Sequence, residues 1–294
     1  LAEQAKGSEL TAEQVRKAAG AGGTESTGSA RGDDGGKQEA GGGQSSAGGQ
    51  GGAPGGSSSG TPGGASGGAP SAGALDAKYS ARGDYTAVRD MKEARRWIKL
   101  AADSGTFAFD VETDSIDEMR AKPVGFSISV KSGEGCYLPL VAESQNILPE
   151  QELKEALREL LGNTGLSLIG HNFKYDYKVL SRWGVEPANL AFDTMVAAWL
   201  IDTTASAYGM DSLAEKWMGY RTIAYKGVVP KGEPFSVVPL DAAAEYAAED
   251  ADVTYRFYEI FGPKLEEEGQ EKLFYEMEMP LVPILAGMEL NGVC

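Results

Sequence analysis

The tightest constraint on how this chain folds is where its aromatic residues stop. All 25 aromatic side chains lie from Tyr79 onward, whereas residues 1–77 hold 23 of the 40 glycines and one β-branched aliphatic, Val15. Such a stretch cannot bury enough apolar surface to offset the entropy of ordering its backbone. Residues 1–77 are therefore expected to be a flexible, disordered low-complexity linker rich in Gly and Ser. Within it, LTAEQVRKAA (10–19) has the spacing of a short helix capped by Thr11, and 20–77 reads as a Gly/Ala/Ser/Pro spacer. The foldable part is about 215 residues, the size of one domain plus an appendage. The chain starts without Met and stops at NGVC, so it is expected to be a fragment cut at both ends.

The net charge of −16 opposes a simple nucleic-acid coat, because a sequence-independent DNA binder is basic. It does not oppose an enzyme whose acidic site is offset by divalent cations. Cys136 and Cys294 have no disulfide or metal spacing, which fits a reducing compartment. Neither a signal peptide nor a bilayer-spanning apolar run is legible.

Apolar spacing predicts a helix over 88–103, then strands at 106–112, 124–131 and 135–141, the last two joined as a hairpin. Helices follow at 149–162, with Pro149 in the first turn, and at about 173–183, separated by a buried strand at 166–170. Another strand, 189–193, precedes helices in DTMVAAWLI and DSLAEKWMG. Residues 220–238 read as loop, and helices at 239–261 and 271–290 close the chain. The order points to an α/β fold, a mixed sheet with flanking helices. Trp97, Trp183, Trp199 and Trp217 sit on apolar helical faces and are expected in the core.

Three pairs of polar residues carry the chemistry. Asp110 and Glu112 are two apart on a strand and leave one face. Asn172 and Asp176 are four apart at a helix start, and Tyr246 and Asp250 repeat that spacing on a later helix. Four converging carboxylates cannot all stay ionised without compensation. Two divalent cations balance them, and oxygen-only donors favour magnesium or manganese. A tyrosine hydroxyl beside Asp250 could orient an attacking water. Each pair alone has a plainer reading. The Asp110–Glu112 pair could be a solvated edge, Asn172 an N-cap, and Tyr246 a core aromatic. Glu249 and Asp252 point away from Asp250 around the helix and read as surface charge, and Asp193 and Asp211 read as N-caps.

FDVETD (109–114), HNFKYD (171–176) and YAAEDADVT (246–254) resemble the three exonuclease motifs of the proofreading domain in bacterial DNA polymerase I, family A. FDTM (192–195), DSLAEKW (211–217) and EMPLVPILAGMELNGV (278–293) resemble that family in the same order. The resemblance covers about residues 80–294. It implies an RNase H-like fold and a 3′→5′ exonuclease of the DEDD type with tyrosine, Tyr246, where other members carry histidine. It divides the chain into a linker (1–77), an exonuclease domain (78–266) and the start of the polymerase thumb helix (267–294). Asp110, Glu112 and Asp250 would bind the tighter metal, with Asp110 also reaching the second and Asp176 acting partly through its waters. Tyr246 would contact the attacking water.

For the substrate, a single-stranded or frayed 3′ end of DNA, the resemblance implies contacts from Thr113, Ile116, His171, Asn172, Tyr175 and Phe235. Ile116 would wedge against the terminal bases and Phe235 would stack on them. Ordinary packing is the competing reading for Ile116 and Phe235, and a structural role for His171. Lys226 and Lys231 could meet phosphates or be merely solvated. Further expectations are covalently linked polymerase and 5′-nuclease domains, no membrane association, a monomer, and a bacterial cytoplasm at the nucleoid. The competing functions are a non-catalytic exonuclease-fold scaffold or DNA clamp, and an RNase of the same superfamily. Segments 192–217 and 278–293 favour the polymerase branch.

Overall fold

The computed structural model describes residues 77–293, and the expected helix at 10–19 and the spacer at 20–77 lie outside them. A short helix α1 (Ala77–Ser80) leads into strand β1 (Asp84–Ala87) and helix α2 (Met91–Ser104). Asp90 starts α2 by accepting the Glu93 N–H at 2.8 Å, and Gly105 ends it at φ 74°, a left-handed turn that glycine takes without steric cost. Three antiparallel strands follow, β2 (Thr106–Thr113), β3 (Pro123–Lys131) and β4 (Glu134–Pro139), with a small ribbon of β5 (Val141–Ala142) and β6 (Gln145–Asn146). Then come α3 (Glu150–Leu161), β7 (Ser167–Gly170), α4 (Lys174–Trp183), β8 (Leu190–Asp193), α5 (Thr194–Ile201) and α6 (Met210–Met218). The short helix α7 (Tyr225–Val228) and a 3₁₀ turn (Phe235–Val237) interrupt the expected loop. Helix α8 (Leu240–Glu267), helix α9 (Glu271–Leu273), a π turn (Phe274–Glu278) and α10 (Met279–Leu290) complete the chain. The π turn precedes Pro280, which cannot donate to the preceding helical turn. No helix among the described residues is long and apolar enough to cross a membrane.

The strands form one six-stranded mixed sheet in the order β1-β4-β3-β2-β7-β8, with β1, β7 and β8 each running parallel to the neighbour they join. Residues alternate faces along β2. Phe107, Phe109 and Val111 enter a core with Phe126, Ile128, Trp97, Leu153 and Leu157, packed beneath α2 and α3. Ala108, Asp110 and Glu112 face the other way, toward α8. Alanines 243, 244, 247, 248 and 251 let α8 settle directly on the strands. At the closest point a Cβ on Gly135 would lie 2.6 Å from the Ala248 carbonyl oxygen, so this position admits only glycine.

Several local readings are corrected. Strand β1 was not foreseen, because DYTA is only four residues long and half-buried, without alternation. Trp199 is 45% exposed rather than core. Gly209, not Asp211, precedes α6, and Asp211 instead accepts the Thr222 hydroxyl at 2.6 Å. Pro149 is the cap residue of α3 rather than part of its first turn.

The largest correction concerns Glu249 and Asp252, which are buried rather than surface charges. Helix α8 is covered on its far side too. Asp252 takes a bidentate pair from the fully buried Arg256 at 3.0 and 2.5 Å, the Tyr85 hydroxyl at 2.8 Å and the Gly133 N–H at 2.7 Å. Arg256 also donates to the carbonyls of Tyr79 and Ala81 at 2.7 and 2.8 Å. Glu249 accepts the Tyr220 hydroxyl and the Ile223 N–H, both at 2.5 Å. These carboxylates thus tie β1, the β3–β4 turn and the loop after α6 to one helix. Replacing Asp252 by Ala leaves the Arg256 charge buried and uncompensated, and is expected to cost about 3–5 kcal/mol in urea unfolding. A loss under about 1 kcal/mol would show that the network carries little stability.

Candidate metal centre

Helix α8 brings Asp250 over the strand that carries Asp110 and Glu112. Carboxylate oxygens of Asp110, Glu112 and Asp250 all lie within 4.8 Å of one another. Asp176 on α4 is buried at 4% exposure and outside that tight group, yet its charge bears on Glu112 and it feels Asp110 in turn. Burial pushes Asp110 up to about 6. Burial first, and then the neighbouring carboxylates, hold Glu112, Asp176 and Asp250 well above the ordinary range. Without a compensating cation the four repel one another in a shielded space.

Tyr246 sits one turn before Asp250, close enough that the Asp250 charge bears on its hydroxyl. Burial and the surrounding negative charges raise the phenol, so it keeps its proton at every ordinary pH. Its ring is wedged between Phe235 and Tyr225, with centroids at 5.8 and 6.0 Å. Sequence reasoning passed over Tyr137, whose register partner Ser127 stands opposite Asp110. The Tyr137 hydroxyl is buried without a hydrogen-bond partner among the described residues, close enough to Glu112 and Asp110 to feel both charges. A side chain at Gly125 would overlap the Tyr137 ring. The only signal in the sequence was that glycine two residues into a buried strand.

The substrate residues divide. Ile116 is 95% exposed on the loop after β2. Thr113 Oγ1 and the Tyr175 hydroxyl meet at 2.7 Å, and Tyr175 also donates to the Ser115 carbonyl at 2.6 Å. Asn172 is exposed and stands before α4 in the left-handed region at φ 57°, so it does not share a helical face with Asp176. Asp193 explains that turn. As expected it caps α5, but it also accepts the N–H groups of Asn172 and Phe173 at 3.1 and 2.8 Å. Two expected contacts turn inward. Phe235 is 1% exposed and packs on Tyr137 and Tyr246, so it buttresses the tyrosines and has no free face for a base. His171 is half-buried, bonds Thr194 through Nδ1 at 2.8 Å and lies against Phe257, with Nε2 shielded from solvent. Lys226 and Lys231 are exposed.

A family model described as 3′-5′ exonuclease, that of DNA polymerase A, matches residues 85–266. The chain belongs to this exonuclease family. It is 39% identical over 248 residues to DNA polymerase I of Treponema pallidum, covering 72% of this chain and 25% of that protein. With DNA polymerase I of Pseudomonas aeruginosa it shares 38% identity over 230 residues, 75% of this chain and 25% of that protein. The chain therefore spans about a quarter of the length of these curated relatives. Among solved structures it is similar to Brucella melitensis NrnC (TM-score 0.53, 22% identity, 64% of this chain and 86% of that one). It also matches Escherichia coli RNase D (TM-score 0.54, 14% identity, 69% and 50%). These likenesses show the RNase H-like fold.

The raised carboxyls give the exonuclease a signed pH dependence in metal-free buffer. Their folded values exceed the unfolded ones, so the folded state holds protons that the unfolded state has lost. Stability should fall as pH rises from about 4, through the Asp110 value of about 6, toward neutrality. Urea unfolding of wild type and of Asp110→Ala with Glu112→Ala at pH 5 and pH 7.5 checks this. The double variant should lose less stability between the two; an equal or larger loss would contradict the repulsion.

Proposed function

We propose that Asp110, Glu112, Asp176 and Asp250 hold two divalent cations, and that the exonuclease uses them to remove deoxynucleoside monophosphates from a single-stranded or frayed 3′ end of DNA. The observation that carries the reading is the cluster of three carboxylates, Glu112 buried and Asp110 and Asp250 half-buried, on a chain matched by an exonuclease family. The donor set fits hard ions such as magnesium or manganese, being all oxygen, partly to fully shielded and short of positive charge. Such a pair of ions, when bound, supplies hydroxide near neutral pH and stabilises the attacking and leaving oxygens of the phosphodiester.

The protein's own residues do the rest. Asp110, Glu112 and Asp250 would hold one ion, and Asp110 and Asp176 would contribute to the second. Tyr246, protonated beside Asp250, would orient the attacking water, with Phe235 and Tyr225 keeping its ring in place. Thr113, Asn172 and Tyr175 line the approach to the terminal nucleotide, and exposed Ile116 wedges against the terminal bases of the strand. DNA is preferred over RNA because the relatives matched at 35–39% identity are DNA polymerases. The retained carboxylates favour catalysis over a passive clamp.

Residues 78–266 form the exonuclease domain and 267–294 the start of the thumb, in a monomer of the bacterial cytoplasm at the nucleoid. Polymerase and 5′-nuclease domains would be covalently linked, the latter through residues 1–77.

A 5′-labelled oligonucleotide with magnesium tests this directly. Wild type should produce a ladder shortened from the 3′ end, lost on chelation and in Asp110→Ala with Glu112→Ala. Tyr246→Phe should lower kcat by about ten- to a hundredfold while magnesium binding persists. A label left at full length under every metal would refute the activity, and a ladder surviving in the double variant would refute the assigned site.

A further inference from the structure

The loop that exposes Ile116 is bolted to α4 along a single stripe. Tyr175, Lys178 and Arg182 are three and four residues apart, so they share a helical face. Tyr175 donates to the Ser115 carbonyl, and Arg182 donates to the carbonyls of Glu118 and Ala121 at 3.2 and 3.0 Å. Between them, Lys178 reaches Glu118 at 2.7 Å. Its side chain is 4% exposed, which is exceptional for lysine and requires partners. The second partner, Glu289, comes from α10, beyond the stretch matched by the family. Glu289 also accepts from Lys174 at 2.6 Å, one turn earlier on α4. Charges therefore alternate from the loop, through α4, to α10.

We infer that Lys178 is a positioning residue, through which helix α10 sets the loop that grips the DNA end; this rests on the exonuclease reading. Without the ammonium, Glu118 and Glu289 would face each other with like charge, pushing loop and helix apart. Ile116 would then lose its fixed place relative to the carboxylates, although none of the metal-holding side chains would be touched. Lys178 contributes to holding a polymeric substrate and not to cleaving a bond.

The test compares a single-stranded oligonucleotide with the p-nitrophenyl ester of thymidine 5′-monophosphate, which has no further bases to grip. Lys178→Met should raise KM for the oligonucleotide about tenfold, with kcat within about twofold and cleavage of the ester unchanged. Lys178→Arg, which keeps the charge, should recover most of the loss. Glu118→Gln and Glu289→Gln should raise KM by smaller factors, and they carry the test if Lys178→Met does not fold. Unchanged oligonucleotide KM in the folded variants would overturn the proposal. So would an equal fall in kcat on both substrates, or an arginine variant as impaired as the methionine. Wild type cleaving neither substrate would instead remove the exonuclease reading on which the proposal stands.

Discussion

Everything near the centre of this protein answers to one electrostatic constraint, the repulsion among carboxylates held in a shielded space. Asp110 and Glu112 are fixed by strand β2, Asp250 by α8 and Asp176 by α4, so none can swing away to relieve it. Isolated, such a cluster would be a liability. The fold keeps it because the elements that carry it are clamped elsewhere by apolar packing and by a second set of charges. Stability and chemistry are thus separated in space but share the same helix.

Helix α8 shows how that sharing works. One of its faces presents Tyr246 and Asp250 to the sheet. The others carry Glu249, Asp252 and Arg256, which fasten β1, the β3–β4 turn and the loop after α6. The close approach at Gly135 sets the height of α8 above the strands, and with it the distance from Asp250 to β2. A shift of this helix would open the cluster and the buried ion pair together. On the opposite edge, Asp193 plays a comparable part, since one carboxylate caps α5 and holds the turn before α4, with Asn172 in its left-handed conformation.

Much of this was legible in the sequence where a regular period met a buried surface. The alternation in β2 and the helical spacing of 150–161 and 174–183 gave elements within a residue or two of those observed. The pairing of Asp110 with Glu112, and of Tyr246 with Asp250, needed only the geometry of a strand and a helix. What local spacing could not supply was long-range. Asp252 looked like surface charge because its partners Tyr85 and Gly133 lie 167 and 119 residues away along the chain. Phe235 and His171 were placed toward substrate by resemblance, whereas packing on Tyr246 and on Thr194 turns them inward. Asn172 misled because a left-handed residue before a helix breaks the four-residue spacing that suggested a shared face.

The central claim is that these carboxylates exist to hold divalent cations, and locating the ions is its most direct test. Crystals grown with manganese would be measured for anomalous scattering at the metal edge. The account predicts anomalous peaks bounded by Asp110, Glu112, Asp176 and Asp250. Fully occupied manganese elsewhere, with no peak among these four residues, would contradict it.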